Sequence, residues 1–93
     1  MGKLDGKSII VTGAAGAIGG ATAKVLAREG ANLLLVDING KGLAERAQEL
    51  KASGARVESV RADVSRSDQV RSFVEAAQRS YGRIDGLFNN AGI

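Results

Sequence analysis

The sequence contains neither cysteine nor histidine among its 93 residues. Their absence excludes disulfide bonds, the common zinc sites, and catalysis by a thiol or an imidazole within this chain. Aromatic residues make up only 3% of the composition, whereas hydrophobic residues make up 44%. A hydrophobic core is therefore possible, but it must be built from alanine, valine, leucine and isoleucine. We expect no metal site.

The chain also lacks a strong excess of one charge. Thirteen lysines and arginines against ten acidic residues give a net charge of +3. Four arginines recur every five residues, a spacing that winds around a helix, and no aromatic residues lie among them to stack on bases. We expect a solvated surface and no nucleic-acid partner. These arginines are Arg56, Arg61, Arg66 and Arg71.

Long hydrophobic runs are absent as well. The first residues, "MGKLDGKSII", contain no apolar segment typical of a secretory signal, and no stretch approaches the roughly eighteen apolar residues of a membrane span. We therefore expect a cytoplasmic protein without membrane association. The length suits a single domain.

Two short apolar runs, "SIIVT" (Ser8–Thr12) and "NLLLVD" (Asn32–Asp37), show no polar alternation. This pattern is typical of strands buried on both faces of a parallel sheet. A more polar segment, Arg56–Asp63, predicts a strand at the sheet edge. A fourth short strand is predicted at Ile84–Asn89.

A helix is predicted between the first two strands, because apolar and small residues there recur with helical spacing. Gly30 supplies its C-terminal stop. The inward-facing stripe predicted by this spacing consists of Ile18, Ala21, Thr22, Val25 and Leu26.

A second helix is predicted from about Lys41 to Ala52, with Asn39 as its N-terminal cap and Gly54 at its end. Its inward-facing residues would be Leu43, Ala47 and Leu50.

A third helix is predicted over roughly Ser67 to Tyr81, ending at Gly82. Ser65 and Asp68 before it resemble a capping box. Its apolar stripe comprises Val70, Phe73, Val74 and Ala77.

The predicted order of elements is βαβαβαβ, which indicates an α/β fold with a doubly wound parallel sheet and right-handed crossovers. The segment "TGAAGAIG" (Thr12–Gly19) lies where the first strand ends and the first helix begins. A glycine-rich turn at this point directs free backbone N–H groups and the positive helix end to one place, which favours anion binding. Gly13 would permit the tight turn, and Gly19 would let the helix pack closely.

Asp37 follows Gly19 by eighteen residues, at the end of the second strand. A carboxylate there can accept hydrogen bonds from the ribose hydroxyls of a dinucleotide. The alternative is that the glycines only turn and cap the chain, with Asp37 capping the next element.

Two other nucleotide-site interpretations fail. "GKS" at Gly6–Ser8 resembles the end of a P-loop, but Met1 stands where that motif requires its first glycine. A methyltransferase-type site usually has an acidic residue just before the first glycine, and Thr12 is there instead.

Four motifs together resemble the classical short-chain dehydrogenase/reductases: Thr12–Gly19, Asp37, the pair Asp63-Val64, and "NNAG" (Asn89–Gly92). The resemblance covers the whole chain, and "NNAG" is its most discriminating motif. It implies a Rossmann-type fold with strand order 3-2-1-4, in which residues 1–93 are the NAD-binding front part of a larger domain and stop after the fourth strand.

The resemblance also implies a role for each matched residue. The glycine-rich segment would wrap the pyrophosphate with the amide of Ile18 as a phosphate donor, and Asp37 would hold the adenosine ribose. Asp63 would reach the adenine amino group. The implied cofactor-binding residues are Gly13, Ala15, Gly16, Ala17, Ile18, Gly19, Asp37, Ile38, Asp63, Val64, Asn90, Ala91 and Gly92.

Structural alternatives remain for some of these residues. Asp63 could instead cap the third helix. Asn89 and Asn90 could tie the fourth strand to the first by hydrogen bonds at the end of the sheet. Both kinds of role can hold at once.

The catalytic residues of the family, a serine and a Tyr-x-x-x-Lys motif, follow "NNAG" and have no counterpart in this chain. The only tyrosine, Tyr81, is followed four residues later by Asp85. We expect no catalytic residue here and no turnover by these 93 residues alone. The leading interpretation is the NAD(H)-binding part of an oxidoreductase that transfers hydride between nicotinamide and an alcohol or carbonyl substrate. The alternative is a non-catalytic nucleotide-binding or interaction module.

The fourth strand would normally lie inside a larger sheet of the family. Its run Gly86-Leu87-Phe88 carries no charge, so as an edge it would expose apolar side chains and unpaired backbone groups. We therefore expect the isolated polypeptide to associate through this strand, or to be fully ordered only when the remainder of the enzyme is present. For the complete enzyme we expect a homo-oligomer.

Overall fold

The computed structural model describes residues 2–89. Four parallel strands form one sheet in the order β3-β2-β1-β4, so the predicted α/β fold and strand order are confirmed. The elements are β1 (Ser8–Thr12), α1 (Ala17–Arg28), β2 (Asn32–Asp37), α2 (Gly40–Ala52), β3 (Val57–Arg61), α3 (Ser67–Tyr81) and β4 (Gly86–Asn89).

Strand β2 is buried on both faces, as its unbroken apolar run predicts. Leu33 and Leu35 pack into a cluster with α1 and α2, while Leu34 and Val36 pack into a second cluster with α3. Helices therefore cover both faces of the sheet at β2, whereas Leu87 and Phe88 of β4 are 58% and 45% exposed. The polar strand β3 lies at one edge, as predicted, and β4 lies at the other edge of the described sheet.

Helix α1 turns a different face to the sheet from the one that its apolar spacing predicts. Its buried residues are Gly19, Gly20 and Ala23, whereas Ile18 and Val25 are 65% and 54% exposed. The helix approaches the sheet and α2 so closely that small residues must occupy the contact. Of the predicted stripe of Ile18, Ala21, Thr22, Val25 and Leu26, only Leu26 packs against the core.

The predicted capping of α2 is confirmed, because the Asn39 side chain accepts a hydrogen bond from the amide of Gly42 at 3.2 Å. Its inward residues Leu43, Ala47 and Leu50 are all buried. None of the helices in residues 2–89 is long and apolar enough to cross a membrane.

The capping box predicted for α3 is wrong. Arg66 occupies the N-cap position without a side-chain hydrogen bond to the helix. Ser65 is engaged elsewhere, since its amide and hydroxyl both donate to Asp63 Oδ1. The other end follows the prediction, because Gly82 caps the helix in the left-handed conformation with φ 75°. Phe73 and Ala77 are buried, and Val70 and Val74 pack beside them.

Tyr81 ends α3 at the amino edge of the sheet. Its hydroxyl donates a hydrogen bond of 2.6 Å to the Leu33 carbonyl at the start of β2. The guanidinium of Arg56 lies 4.9 Å from the centre of the ring. Tyr81 therefore holds α3 against the sheet, far along the strands from their carboxyl ends.

Replacing Tyr81 with phenylalanine should lower the free energy of unfolding by about 1 kcal/mol at pH 7, since the Leu33 carbonyl loses its donor. Burial, with the charge of Glu58, raises the pKa of Tyr81 from 10.0 to about 12. Between these values the unfolded chain releases the proton and the folded chain keeps it, so stability falls as pH rises.

Denaturant unfolding of both proteins at pH 7 and at about pH 12 tests this account. The difference in the free energy of unfolding between parent and variant should become smaller at high pH. It should shrink by at most about 1 kcal/mol, because the ring is only half-buried. A difference that grows at high pH would contradict the hydrogen bond assigned to Tyr81.

Candidate functional site

The carboxyl ends of β1, β2 and β3 border a cleft of about 240 Å³. In open α/β sheets, ligands bind in such a crevice outside the strand ends. The cleft brings together residues from three separate turns of the chain, which follow β1, β2 and β3. These residues are Gly13, Asp37, Ile38, Ala62, Asp63, Val64 and Ser65.

The glycine-rich loop leaves β1 through a tight turn at Gly13, whose φ of +67° favours glycine. The amide of Gly16 donates to the Gly13 carbonyl at 3.1 Å, and Gly16 then caps α1. A side chain at Gly19 would overlap the backbone of Gly13 and Ala14. The loop and the first turn of α1 therefore lie against each other without any intervening side chain.

The amino end of α1 has the features of an anion site. The first amides of a helix have no intrahelical acceptor, and the helix dipole adds positive potential at this end. The first turn contains no acidic residue, and the N-cap residue, Gly16, has no side chain that could accept from these amides. Ala17 and Ile18 are exposed at this end. The first amides of α1, placed by the loop, can therefore act as donors to a phosphate group.

Asp37 joins this loop to the next one. Its Oδ2 accepts a hydrogen bond from the amide of Ala15 at 2.9 Å, and its Oδ1 accepts one from the amide of Asn39 at 2.9 Å. The contact with Asn39 is of the kind that the capping alternative expects. Each carboxylate oxygen can accept a second hydrogen bond, so the group still has capacity for ribose hydroxyls.

Asp63 shapes the turn after β3. Hydrogen bonds from the Ser65 hydroxyl and amide, followed by the charge of Arg66, lower the pKa of its carboxyl below the usual value. The amide of Asp63 donates to Gln69 Oε1 at 2.6 Å. Asp63 therefore holds the turn before α3 and does not cap the helix, whose N-cap is Arg66. Within residues 2–89, Ser65 donates only to Oδ1, which leaves Oδ2 open to a ligand.

Asn89 ties β4 to β1, as its structural alternative predicts: its Oδ1 accepts a 2.7 Å hydrogen bond from the Thr12 hydroxyl. The implied site residues Asn90, Ala91 and Gly92 lie outside the described residues. Ala15, Gly16, Ala17, Ile18 and Gly19 lie along the loop and the first turn of α1, and Ile38, 57% exposed, borders the cleft.

Two arginines contact the site loops, and no sequence pattern predicts either contact. Arg46 Nε donates to the Ala14 carbonyl at 3.3 Å, and Arg61 Nε donates to the Ile38 carbonyl at 3.0 Å. Both come from elements that are distant in sequence from the loops. No motif in the sequence marks them, because each contact depends on how α2 and β3 pack.

Away from this cleft, the described chain has a second groove and no metal-binding cluster. No group of three or more acidic side chains that could hold a metal occurs in residues 2–89. A larger groove, of about 450 Å³, lies between the C-terminal halves of α1 and α2. It is lined by Lys24, Glu49 and Leu50 among others, and it lies away from the strand ends where the loop donors converge.

The model of the family described as short chain dehydrogenase matches residues 7–93. The chain belongs to this family. It is 42% identical over its whole length to the uncharacterized oxidoreductase YxbG of Bacillus subtilis, of which it covers 34%. It is 46% identical over its whole length to the oxidoreductase UcpA of Salmonella typhimurium, of which it covers 35%.

Among solved structures, a short chain dehydrogenase/reductase from Burkholderia phymatum in complex with NAD matches the whole chain with a TM-score of 0.95 and 41% identity. The chain covers 33% of that structure. This short chain dehydrogenase segment therefore spans about a third of the length of the relatives that it matches.

Changing Gly19 to alanine should lower the free energy of unfolding by about 1–3 kcal/mol, because the added methyl group meets backbone atoms that cannot move independently. Gly16→Ala is the matched control. At Gly16 the atom nearest to the methyl group would be 3.4 Å away. The loss in the free energy of unfolding should therefore stay below about 1 kcal/mol, which is what a weaker N-cap costs. Denaturant unfolding without ligand measures both. Equal losses would contradict the close approach of α1.

Proposed function

We propose that this chain is the NAD(H)-binding part of an oxidoreductase that transfers hydride between nicotinamide and an alcohol or carbonyl substrate. One observation carries the proposal: the Asp37 carboxylate is hydrogen-bonded to the amide of Ala15 in the glycine-rich loop. A ribose acceptor and a set of phosphate donors are thereby held side by side. Membership of the family and the NAD-bound relative support the same assignment.

The chemistry of the described residues fits a dinucleotide. The glycine-rich segment would wrap the pyrophosphate, and the first amides of α1, including that of Ile18, would donate to it. Asp37 would accept hydrogen bonds from the adenosine ribose. Asp63 would accept one from the adenine amino group, with Val64 and Ile38 beside the ring. The bound cofactor would supply the hydride acceptor or donor.

The residues that move the proton in the reaction are proposed to lie in the part of the relatives that this chain does not span. Tyr81 is unsuited to that role, because its hydroxyl is bonded to the Leu33 carbonyl at the other end of β2. The 93 residues alone should therefore bind the cofactor without oxidising an alcohol or reducing a carbonyl.

NAD should bind more tightly than NADP. The 2′-phosphate of NADP would meet the Asp37 carboxylate, and like charges at about 4 Å repel by about 4 kcal/mol at an effective dielectric constant near 20. Ala14, Ala15, Ala17 and Ile38 supply no positive side chain to offset this. We expect a preference of roughly a hundredfold or more, measured by calorimetric titration of each cofactor. Equal affinities would contradict the assignment of Asp37.

Replacing Asp37 with alanine should weaken NAD binding at least roughly tenfold, since charge-assisted hydrogen bonds contribute about 1.5–3 kcal/mol each. Asp37→Asn is the informative comparison. Its side-chain oxygen can still accept from Ala15, but the negative charge is gone, so discrimination against NADP should fall even if the loop stays in place. If both variants bind NAD as tightly as the parent, Asp37 is only a structural cap.

A further inference from the structure

Helix α2 lies against the glycine-rich loop through its amino-terminal half. A methyl group added at Gly42 would lie 3.1 Å from the Cβ of Ala15. One helical turn later, Arg46 Nε donates to the Ala14 carbonyl at 3.3 Å. The helix therefore contacts two consecutive residues of the loop from the side that faces the core.

The guanidinium of Arg46 occupies the space that a side chain at Gly20 would need. A methyl group on Gly20 would lie 2.5 Å from Arg46 Cζ, and the three nearest atoms to it all belong to that guanidinium. Glycine inside a helix costs about 1 kcal/mol relative to alanine. The cost at Gly20 is therefore coupled to the presence of Arg46.

Arg46 is a mostly buried side chain, only 20% exposed. Its pairing with Glu49, at 3.6 Å on the same helix, is open to solvent on the Glu49 side and contributes little. The bond to Ala14 is different, because Ala14 is fully buried. Removing Arg46 would leave a buried carbonyl without that donor.

The geometry points to Arg46 as a positioning residue for cofactor binding, a role that rests on the proposed function. Ala14 is fixed through its amide by the Val36 carbonyl and through its carbonyl by Arg46. Asp37 fixes the next amide, that of Ala15. We propose that Arg46, seated on Gly20, holds the loop in the conformation that binds the pyrophosphate, so that less order must be imposed when the ligand arrives.

The first test needs no ligand. Gly20→Ala, Arg46→Ala and the double variant are compared in the full chain by thermal unfolding. Gly20→Ala should raise the Tm by roughly 4 °C or more in the Arg46→Ala background, where the three atoms nearest to the methyl group are gone. In the parent background it should raise the Tm by clearly less, or lower it. The same shift in both backgrounds would overturn the coupling.

The second test separates positioning from general damage. Arg46→Ala should raise the Kd for NAD and for ADP-ribose fivefold or more, and the Kd for adenosine less than twofold, since adenosine lacks the pyrophosphate. Gly20→Ala should raise the Kd for NAD and for ADP-ribose in the same way. The double variant should bind them no more weakly than Arg46→Ala alone. Arg71→Ala, at an exposed arginine on α3, is the matched control and should change none of the three.

Unchanged NAD affinity in Arg46→Ala, or equal weakening of NAD and adenosine, would overturn the positioning role. If the parent protein itself binds no NAD, the proposed function fails, and the ligand-free coupling of Gly20 with Arg46 still stands or falls by the first test.

Discussion

The backbone of Gly19 lies directly against the carbonyl of Gly13, with no room for a side chain between them. This approach fixes where α1 begins relative to the end of β1, and therefore where its amino end points. The anion-binding potential of the loop depends on that direction, because a helix dipole acts within its first turn. The small inward face of Gly19, Gly20 and Ala23 extends the same close packing along the helix.

Asp37 and Asp63 line the cleft and also hold its loops in place. Asp37 connects the glycine-rich loop to the start of α2, and Asp63 closes the turn after β3. Each uses part of its accepting capacity on backbone amides and keeps the remainder for other donors. The same two carboxylates therefore hold the loops in place and retain acceptor capacity for a ligand.

Sequence patterns predicted the elements well and their contacts less well. The apolar runs of β1 and β2 and the caps at Asn39 and Gly82 depend on local chemistry, and they were predicted correctly. The inward face of α1 was predicted wrongly, because the close approach at Gly19 leaves room only for small residues and excludes larger apolar ones. The contacts of Arg46 and Arg61 with the loops depend on tertiary packing, which no local spacing encodes.

The most direct test of the account is an NMR titration of the isotope-labelled protein with NAD, followed through its backbone amides. We expect the largest shift changes at residues 13–19, and further changes at residues 37–38 and 63–65, with none at Tyr81 or in the groove between α1 and α2. Changes concentrated at that groove or at the amino edge of the sheet, with the glycine-rich loop unaffected, would contradict the assignment of the carboxyl edge as the cofactor site.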